Sequence, residues 1–186
     1  MKDSPISIGI DDASFELQSD SKYTQLIGVT CQGTRMVSVY KEKITIDGDD
    51  ATEKMINLIK KNEKHVQYVI THSITFGGFN LVNLNKIYSE IGKPIIAITE
   101  RQVDFESVKK ALLQKYPKKY KSKLKCIIDA GNLYETEVNT AGGSSKIFFH
   151  CKGIEVKEVE NLLNKVCVDS KLPESVRLAH LIGTLF

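Results

Sequence analysis

The sequence predicts an α/β fold in which one mixed sheet carries helices on its faces. Three strand patterns follow one another at the start of the chain, and strand and helix patterns alternate after them. The chain has 186 residues, of which 41% are hydrophobic and 26% charged. These values suit a globular protein with one sizeable core, so we expect a single domain over residues 1–186.

The first strand pattern ends in two neighbouring acids. Ile6, Ile8 and Ile10 alternate with small residues, which indicates a strand with one buried face, and Asp11 and Asp12 follow directly. Neighbouring side chains on an extended chain point to opposite faces, so one of the two acids can face a given site. The pair either places a metal ligand on rigid backbone or begins a solvated loop.

The next two strands complete an antiparallel meander. They are expected at Thr24–Cys31 and Met36–Ile46, joined by a short glycine-containing turn that favours a hairpin. A helix over Ala51–Lys61 follows, since its apolar residues recur at helical spacing. Asp50 and Glu53, three residues apart, form a capping-box pattern at its start.

Two further strand and helix pairs are predicted in the middle of the chain. The strands are Val66–Thr71 and Pro94–Thr99. The helices are Leu81–Ile91, capped by Asn80 and ended by Gly92, and Asp104–Lys115. Strands that alternate with helices imply right-handed parallel crossovers. This order fits the layout of the ribonuclease H-like fold and is also compatible with other mixed α/β sheets.

The last third of the chain predicts a hairpin followed by two helices. The hairpin strands are Tyr134–Val138 and Lys146–Cys151, around a glycine- and serine-rich turn. The helices are Glu155–Val166, which has one apolar face, and Glu174–Leu185, which a first-turn proline opens.

Composition narrows the class of protein. No apolar run reaches the roughly 18 residues of a membrane helix, and no signal-peptide pattern opens the chain, so we expect a cytoplasmic protein. The four cysteines are scattered without a C-x-x-C pair, which favours free thiols over a zinc site or disulfides. The net charge of +3 is compatible with an anionic partner but does not establish one.

Five motifs in order resemble the archaeal endonuclease dU family, which is related to endonuclease V. They span nearly the whole chain and are Ile8-Gly-Ile-Asp-Asp-x-x-Phe15, Leu26-Ile-Gly-Val29, Thr45-Ile-Asp-Gly-x-Asp-Ala-Thr52, Ile74-Thr-Phe-x-Gly-Phe-Asn80 and Arg177-Leu-Ala-His-Leu-Ile182. The resemblance implies a ribonuclease H-like fold and metal-dependent cleavage of DNA near deaminated bases, with Mg²⁺ or Mn²⁺ as the cofactor.

Three acids are candidate metal ligands and catalytic residues. Two metal ions about 3.5–4 Å apart can activate water and stabilise the leaving oxygen of a phosphodiester, and Mg²⁺ prefers oxygen ligands. Asp11 ends the first strand, Asp47 ends the third, and Asp50 opens the following helix. Their ends can converge at one edge of the sheet. The alternatives are a turn acid for Asp47 and an ordinary helix cap for Asp50.

The fourth strand departs from the family pattern. The resemblance implies Asp-Gly before Ile74, but the chain has His72-Ser73 there. A neutral histidine can bind Mn²⁺ or Zn²⁺ but is a poor Mg²⁺ ligand without negative charge. His72 is therefore either a metal ligand that weakens Mg²⁺ binding, leaving cleavage in doubt, or a partly buried histidine bonded to backbone groups.

The segment from Thr75 to Asn80 is a candidate substrate-binding loop. Gly77 and Gly78 would allow close approach to a ligand, and the helix expected after Asn80 would offer unpaired N–H groups to an anion. Phe76 and Phe79 are candidates for stacking on an extruded base. In the alternative interpretation the segment is a turn with its phenylalanines in the core, which is favoured for Phe79.

A lysine-rich stretch predicts contact with nucleic acid. Its lysines lie between residues 109 and 125, include Lys118 and Lys119, and alternate with two tyrosines. Such a stretch suits phosphate contacts and stacking on single-stranded DNA, although lysine runs are usually solvated surface. Arg101, just past the fifth strand, is a further candidate phosphate ligand by position alone.

Overall fold

A seven-stranded mixed sheet forms the centre of the computed structural model, which describes residues 3–15, 21–62 and 64–186. Its strands lie in the order β3-β2-β1-β4-β7-β9-β8, and a separate small hairpin pairs β5 with β6. The strands are β1 Ile6–Asp12, β2 Tyr23–Gln32, β3 Arg35–Thr45, β4 Tyr68–His72, β5 Thr75–Phe76, β6 Asn80–Leu81, β7 Ile95–Thr99, β8 Tyr134–Thr140 and β9 Gly143–Lys152. The helices are α1 Ala51–Lys60, α2 Leu84–Ile91, α3 Phe105–Lys115, α4 Tyr120–Asp129, α5 Val156–Val166 and α6 Glu174–Gly183.

The pairing confirms the predicted mixed sheet. Strands β1, β2 and β3 form the antiparallel meander, β1, β4 and β7 run parallel, and β9 and β8 close the sheet as an antiparallel hairpin. The three parallel strands lie at its centre and are almost fully buried, as parallel strands covered on both faces usually are. Their carboxyl ends meet at one edge of the sheet, where ligands bind in open α/β sheets.

Helices cover both faces of the sheet. On one face, α1 and α2 pack against β1, β4 and β7 in a core that includes Ile8, Met55 and Ile87. On the other face, α5 and α6 pack against the same strands and the β8-β9 hairpin, around Ile70, Phe149 and Leu162. No helix within the described ranges is both long and apolar enough to cross a membrane.

Two local predictions differ from the structure around α2. The chain after Gly78 does not enter a helix at Asn80, because Asn80–Leu81 pairs with Thr75–Phe76 in the small hairpin. Helix α2 begins at Leu84, three residues after the predicted start at Leu81. The side chain of its N-cap residue, Asn83, accepts a hydrogen bond from the Lys86 amide at 3.0 Å. Gly92 ends α2 with a φ of 65°, as predicted for a left-handed terminal glycine.

The lysine-rich stretch contains a helix that the sequence did not predict. Helix α4 carries Lys121, Lys123 and Lys125, so its lysines hide the helical spacing of its apolar residues. The partly buried Cys126 and Ile127 of this helix pack against the core next to α2.

Helix α6 approaches the central strand unusually closely. A Cβ on Gly9 would lie 2.2 Å from the carbonyl carbon of Ser175, so only glycine fits there. The hydroxyl oxygens of Ser7 and Ser175 also lie 3.2 Å apart. This contact fixes α6 against β1 and carries His180, on the second turn of α6, towards the end of that strand.

Candidate functional site

Three side chains from distant parts of the sequence meet at the carboxyl edge of the sheet. Asp11 ends β1 and is 3% exposed. Its Oδ2 atom lies 3.1 Å from Nδ1 of His72, at the end of β4, and 2.8 Å from Nδ1 of His180 on α6. The two imidazole rings are edge to face, with centroids 6.0 Å apart. Asp11 therefore orients both histidines.

This triad has the donor atoms for a divalent cation. One carboxylate oxygen and two imidazole nitrogens lie within 4.8 Å of one another, and no other set of three acids, histidines or cysteines in the described ranges does so. Imidazole ligands suit Mn²⁺ and Zn²⁺ better than Mg²⁺, which prefers oxygen. The residues fit one ion of the Mn²⁺ or Zn²⁺ class.

The histidine at position 72 is not satisfied by backbone groups, the alternative considered from the sequence. Its hydrogen bond with Asp11 raises the pKa of His72 above its usual value, although burial opposes this. Because only neutral imidazole has a free lone pair for metal, the raised pKa means that a cation at this Nδ1 atom would compete with a proton more strongly than at an ordinary histidine.

Asp12 lies next to the triad but bonds to the following loop instead of the histidines. Its Oδ2 atom accepts a hydrogen bond of 2.7 Å from the Gly77 amide, and its own amide donates to Oδ1 of Asp11 at 2.9 Å. Burial, together with the neighbouring Asp11, raises the pKa of Asp12 to about 6, although the bond from Gly77 lowers it. Asp12 thus joins the triad to the loop at Gly77.

Replacing Asp12 by Asn is expected to stabilise the protein at neutral pH. A carboxyl whose pKa is higher in the folded state than in the unfolded chain favours folding less once it ionises. This cost is absent below about pH 4 and complete above about pH 6, the pKa of Asp12 in the folded protein. The variant should gain up to about 2 kcal/mol at pH 7 and little at pH 4, measured by urea unfolding in chelator. An equal gain at both pH values would contradict this.

The structure places Asp47 in the turn after β3, away from the triad. Its Oδ1 atom accepts from the Phe79 amide at 2.9 Å, and its Oδ2 atom accepts from Lys115 Nζ at 2.9 Å. Burial alone would raise the pKa of Asp47, but the hydrogen bonds from Lys115, Tyr116 and the Phe79 amide together outweigh burial and hold that pKa below its usual value. Asp47 thus anchors the neighbouring loop and α3.

Asp50 and Asn80 form a second internal network. Instead of capping α1 as predicted, the Asp50 carboxylate accepts from the Thr45 hydroxyl at 3.0 Å and from Nδ2 of Asn80 at 2.7 Å. Asn80 is fully buried, and its Oδ1 atom accepts from the Ala51 amide at 3.0 Å. Asn80, predicted to bind substrate, therefore holds the start of α1 in place.

The glycines of the candidate substrate loop have a structural use. Gly77 and Gly78 have φ values of 50° and 85°, which side chains rarely adopt. A Cβ on Gly78 would lie 2.4 Å from Oδ1 of Asp47. The missing side chain at Gly78 therefore lets the Asp47 carboxylate, not a ligand, approach the loop backbone. The phenylalanines also differ from expectation: Phe76 is fully buried in the core, whereas Phe79 is half-buried at the edge of a cavity.

Much of the lysine-rich stretch is already paired with acids of the β3–α1 turn. Lys115 binds Asp47, and Lys119 binds Asp49. Lys123 is 3% exposed, and its Nζ donates to the carbonyls of Gly48 and Phe79 and to Asp49, at 2.6–3.0 Å. Lys118 and Arg101, the other candidate phosphate ligands, are exposed to solvent.

Replacing Lys123 by Met is expected to destabilise the protein by about 2 kcal/mol, because it removes hydrogen bonds from a charged, buried donor. The melting temperature should fall by about 4–8 °C. Lys121→Met is the matched control, since Lys121 lies on the same helix and is exposed. Equal melting temperatures for the two variants would show that Lys123 is not a structural anchor.

Comparison with known proteins identifies the family. The family model described as Endonuclease dU matches residues 6–186. The chain belongs to the endonuclease dU family. It is 36% identical over 179 residues to the UPF0215 protein of Nanoarchaeum equitans, a match covering 95% of this chain and 85% of that protein. It is 34% identical over 188 residues to the UPF0215 protein of Methanocaldococcus jannaschii, covering 100% and 96% of the two chains.

Solved structures confirm the ribonuclease H-like fold of this endonuclease dU family member. A protein of unknown function from Archaeoglobus fulgidus superposes with a TM-score of 0.83 at 26% identity, covering 96% of both chains. Endonuclease V of Ciona intestinalis, in complex with a DNA that contains an inosine, gives a TM-score of 0.61 at 10% identity. That match covers 95% of this chain and 83% of the other. At this identity the second likeness concerns the fold alone.

The departure from the endonuclease dU pattern at His72-Ser73 is visible in the backbone. Ser73 has a φ of 77°, a conformation that favours glycine, which is the residue that the resemblance implies at this position. Its amide donates to the Ile98 carbonyl at 2.6 Å, and the Thr71 hydroxyl donates to its carbonyl at 2.7 Å. The chain therefore has a glycine-type turn at Ser73, and His72 stands where the resemblance implies a carboxylate.

Sequence reasoning missed His180 as a site residue. It lies within the motif Arg177-Leu-Ala-His-Leu-Ile182, and α6 places it against Asp11. A histidine inside a family motif was the available signal.

Proposed function

We propose that this endonuclease dU family member is a metal-dependent endonuclease that cleaves DNA containing deaminated bases. The observation that carries the proposal is the convergence of Asp11, His72 and His180 at the carboxyl edge of the sheet. An open cleft of about 360 Å³ lies over them and is also lined by Asp12 and Phe15. A strand phosphate has room to approach the triad there.

The residues of the triad have distinct roles in this proposal. Asp11 supplies the negative charge and holds both imidazoles by their Nδ1 atoms. Strand β4 fixes the position of His72. The side chain of His180 is half-exposed and faces the cleft. A divalent cation bound there would polarise a phosphate oxygen and lower the pKa of a bound water. With one carboxylate and two imidazoles, the site should use Mn²⁺ more readily than Mg²⁺.

Nucleic acid is the partner that the surroundings support. Endonuclease V of Ciona intestinalis has been solved with DNA, and it shares this fold. Exposed Lys118 and Arg101 remain candidates for phosphate contact, while Lys119 first has to leave Asp49. Preference for single-stranded or deaminated DNA is part of the proposal.

A cleavage assay tests the proposal directly. The substrates are end-labelled oligonucleotides that carry one uracil or one hypoxanthine, and matched oligonucleotides with cytosine or adenine. Each is incubated with chelator, Mg²⁺ or Mn²⁺. The proposal expects cleavage near the deaminated base, fastest in Mn²⁺ and absent in chelator. Cleavage that ignores the base or persists in chelator would overturn it.

A second candidate is a relative that binds nucleic acid without cutting it. The observation that favours it is the engagement of Asp47 and Asp50 in internal hydrogen bonds, which leaves Asp11 as the one carboxylate of the triad. Two-metal cleavage needs more negative charge than one carboxylate provides.

Replacing His72 by Asp distinguishes the two candidates. The added carboxylate lies next to Asp11, and the two repel one another until a cation neutralises them. The variant should melt at a lower temperature than the parent in chelator and gain more on addition of Mg²⁺. If the parent does not cleave and the variant does, the binding-only candidate is correct for the natural chain. Equal Mg²⁺ shifts for parent and variant would place His72 outside any metal site.

A further inference from the structure

Two lysines share the face of strands β2 and β3 that lies on the α6 side of the sheet. Ile27 of β2 packs with α6 on this side. Lys41 pairs with Ile27, and paired residues of neighbouring strands point to the same side. Lys43, two residues on, shares that side, whereas Glu42 between them points to the other side and binds Lys61 there. The alternation of β3 therefore separates its lysines from its acid.

Both lysines lie over exposed aromatic rings. Nζ of Lys41 is 4.5 Å from the ring centroid of Phe186, and Nζ of Lys43 is 3.8 Å from that of Tyr23. Tyr23 is 48% exposed and Phe186 is 53% exposed. Among the residues that the structure describes, neither lysine has an acid as an ion-pair partner. A ring occupies only part of the three N–H donors of an ammonium group, so both lysines can still donate to an anion.

The lysines of the stretch between residues 109 and 125 differ in this respect. Lys115, Lys119 and Lys123 are bound to the acids Asp47 and Asp49. A phosphate that displaces such an acid gains little, because one ion pair replaces another. A lysine without an acid partner contributes its whole charge to a phosphate, and its binding releases the counterions of that phosphate. The α6 side of β2 and β3 therefore suits phosphate binding better than these paired lysines do.

This face continues from the cleft over the triad. The cleft is lined by Ser14 and Phe15 as well as by His180. The same two residues, together with Tyr23 and Phe186, line an open groove beside β2. A nucleic-acid strand with one phosphate at the triad can therefore leave the cleft past Phe15 and reach the two lysines.

We propose that the single-stranded flank of the substrate lies on this face. Its four contact residues, here called the flank surface, are Lys41, Lys43, Tyr23 and Phe186. Cationic side chains beside exposed rings are the combination by which proteins hold single strands without reading their sequence. The lysines bind phosphates of the flank, outside the cleft and away from the nucleotide that is cleaved. This inference rests on the proposed function, because it gives the path of the substrate of the same site.

The salt dependence of binding tests the two lysines in chelator, without cleavage. Fluorescence anisotropy gives the affinity for a labelled single-stranded oligonucleotide with one central uracil, between about 50 and 200 mM salt. Each phosphate contact to a single strand adds about 0.7 to the slope of log K against log salt, so Lys41→Gln/Lys43→Gln should bind with a slope shallower by about 1.4. Lys64→Gln/Lys157→Gln removes the same charge from exposed lysines before β4 and in the first turn of α5, and should keep the slope of the parent.

The aromatic rings should give a different signature. Phe186→Ala should lower the affinity about fivefold or more at each salt concentration and leave the slope unchanged, because stacking releases no counterions. Val168→Ala is the control, since Val168 is a 44% exposed apolar residue between α5 and α6. Its affinity should equal that of the parent. All four side chains of the flank surface are exposed, so their variants should also melt as the parent does.

Shortening the oligonucleotide locates the contact. Removing nucleotides on one side of the uracil should abolish the difference between the parent and Lys41→Gln/Lys43→Gln, and removing them on the other side should preserve it. The inference is overturned if the parent does not bind the single strand, if the lysine variant keeps the slope of the parent, or if the control variant loses as much slope. The proposed function fails separately, if Asp11→Asn cleaves as well as the parent.

Discussion

Asp11→Asn is expected to lower the affinity for Mn²⁺ by at least about 100-fold and to abolish metal-dependent cleavage. Loss of an outer-shell partner of a metal ligand already costs about 10–100-fold in affinity or activity. Asp11 is the one carboxylate of the triad, and Asn keeps its shape while removing its charge. It also removes the negative charge that raises the pKa of His72 through their hydrogen bond. Calorimetric titration with Mn²⁺ measures the affinity.

The controls separate loss of metal from loss of fold. Asp12→Asn removes the neighbouring carboxylate, which bonds to Gly77 instead of the histidines, and should bind Mn²⁺ almost as the parent does. Asp47→Asn changes an acid that lies outside the triad and should also leave the affinity for Mn²⁺ nearly unchanged. If Asp47→Asn lost Mn²⁺ binding as Asp11→Asn does, the metal site would have to be moved to the β3–α1 turn.

Gly9→Ala is expected to destabilise the protein by about 3 kcal/mol or more, the largest stability change among these predictions. The added methyl would lie 2.2–2.3 Å from backbone atoms of Ser175 and Val176, and backbone at a helix start cannot rotate away. The melting temperature should fall by about 6–12 °C. Because α6 must move outward, His180 should also leave Asp11, so the affinity for Mn²⁺ should fall in the variant that still folds.

Gly142→Ala is the matched control for Gly9→Ala. Gly142 lies in the exposed β8-β9 turn, and a Cβ there meets an ordinary contact of 3.7 Å with the Thr140 hydroxyl. Its melting temperature should lie close to that of the parent. A Gly9→Ala protein as stable as Gly142→Ala would mean that α6 is free to shift on the sheet.

The sequence predicted the sheet because its strands are marked by short apolar runs. The antiparallel meander of β1 to β3 and the β8-β9 hairpin were predicted from the sequence pattern and are confirmed. Helix α4 could not be recognised, because its buried residue is Lys123, and burial of a lysine depends on acceptors supplied by the distant residues Gly48 and Asp49. Periodicity detects apolar burial and misses burial satisfied by hydrogen bonds.

The same limit explains which residues of the candidate site could be predicted from the sequence. Asp11 was identifiable at the end of a buried strand, and His72 from its departure within a family motif. Asp47 and Asp50 could be recognised as acids near a strand end, but their partners could not be predicted from the sequence. In the fold, Lys115 binds Asp47 and Asn80 binds Asp50. Whether an acid holds a metal or a lysine depends on partners that are far away along the chain.

The bond between Asp11 and His180 joins residues 169 positions apart. Domains begin to fold during synthesis, and a chain grows at about 5–20 residues per second, so β1 waits on the order of 10–30 s for α6. During that time β1, β2, β3 and β4 can pair, but the triad lacks one of its three members. Long-range contacts of this kind also slow folding. A nascent chain therefore lacks the proposed cation site until α6 has been made and packs against β1.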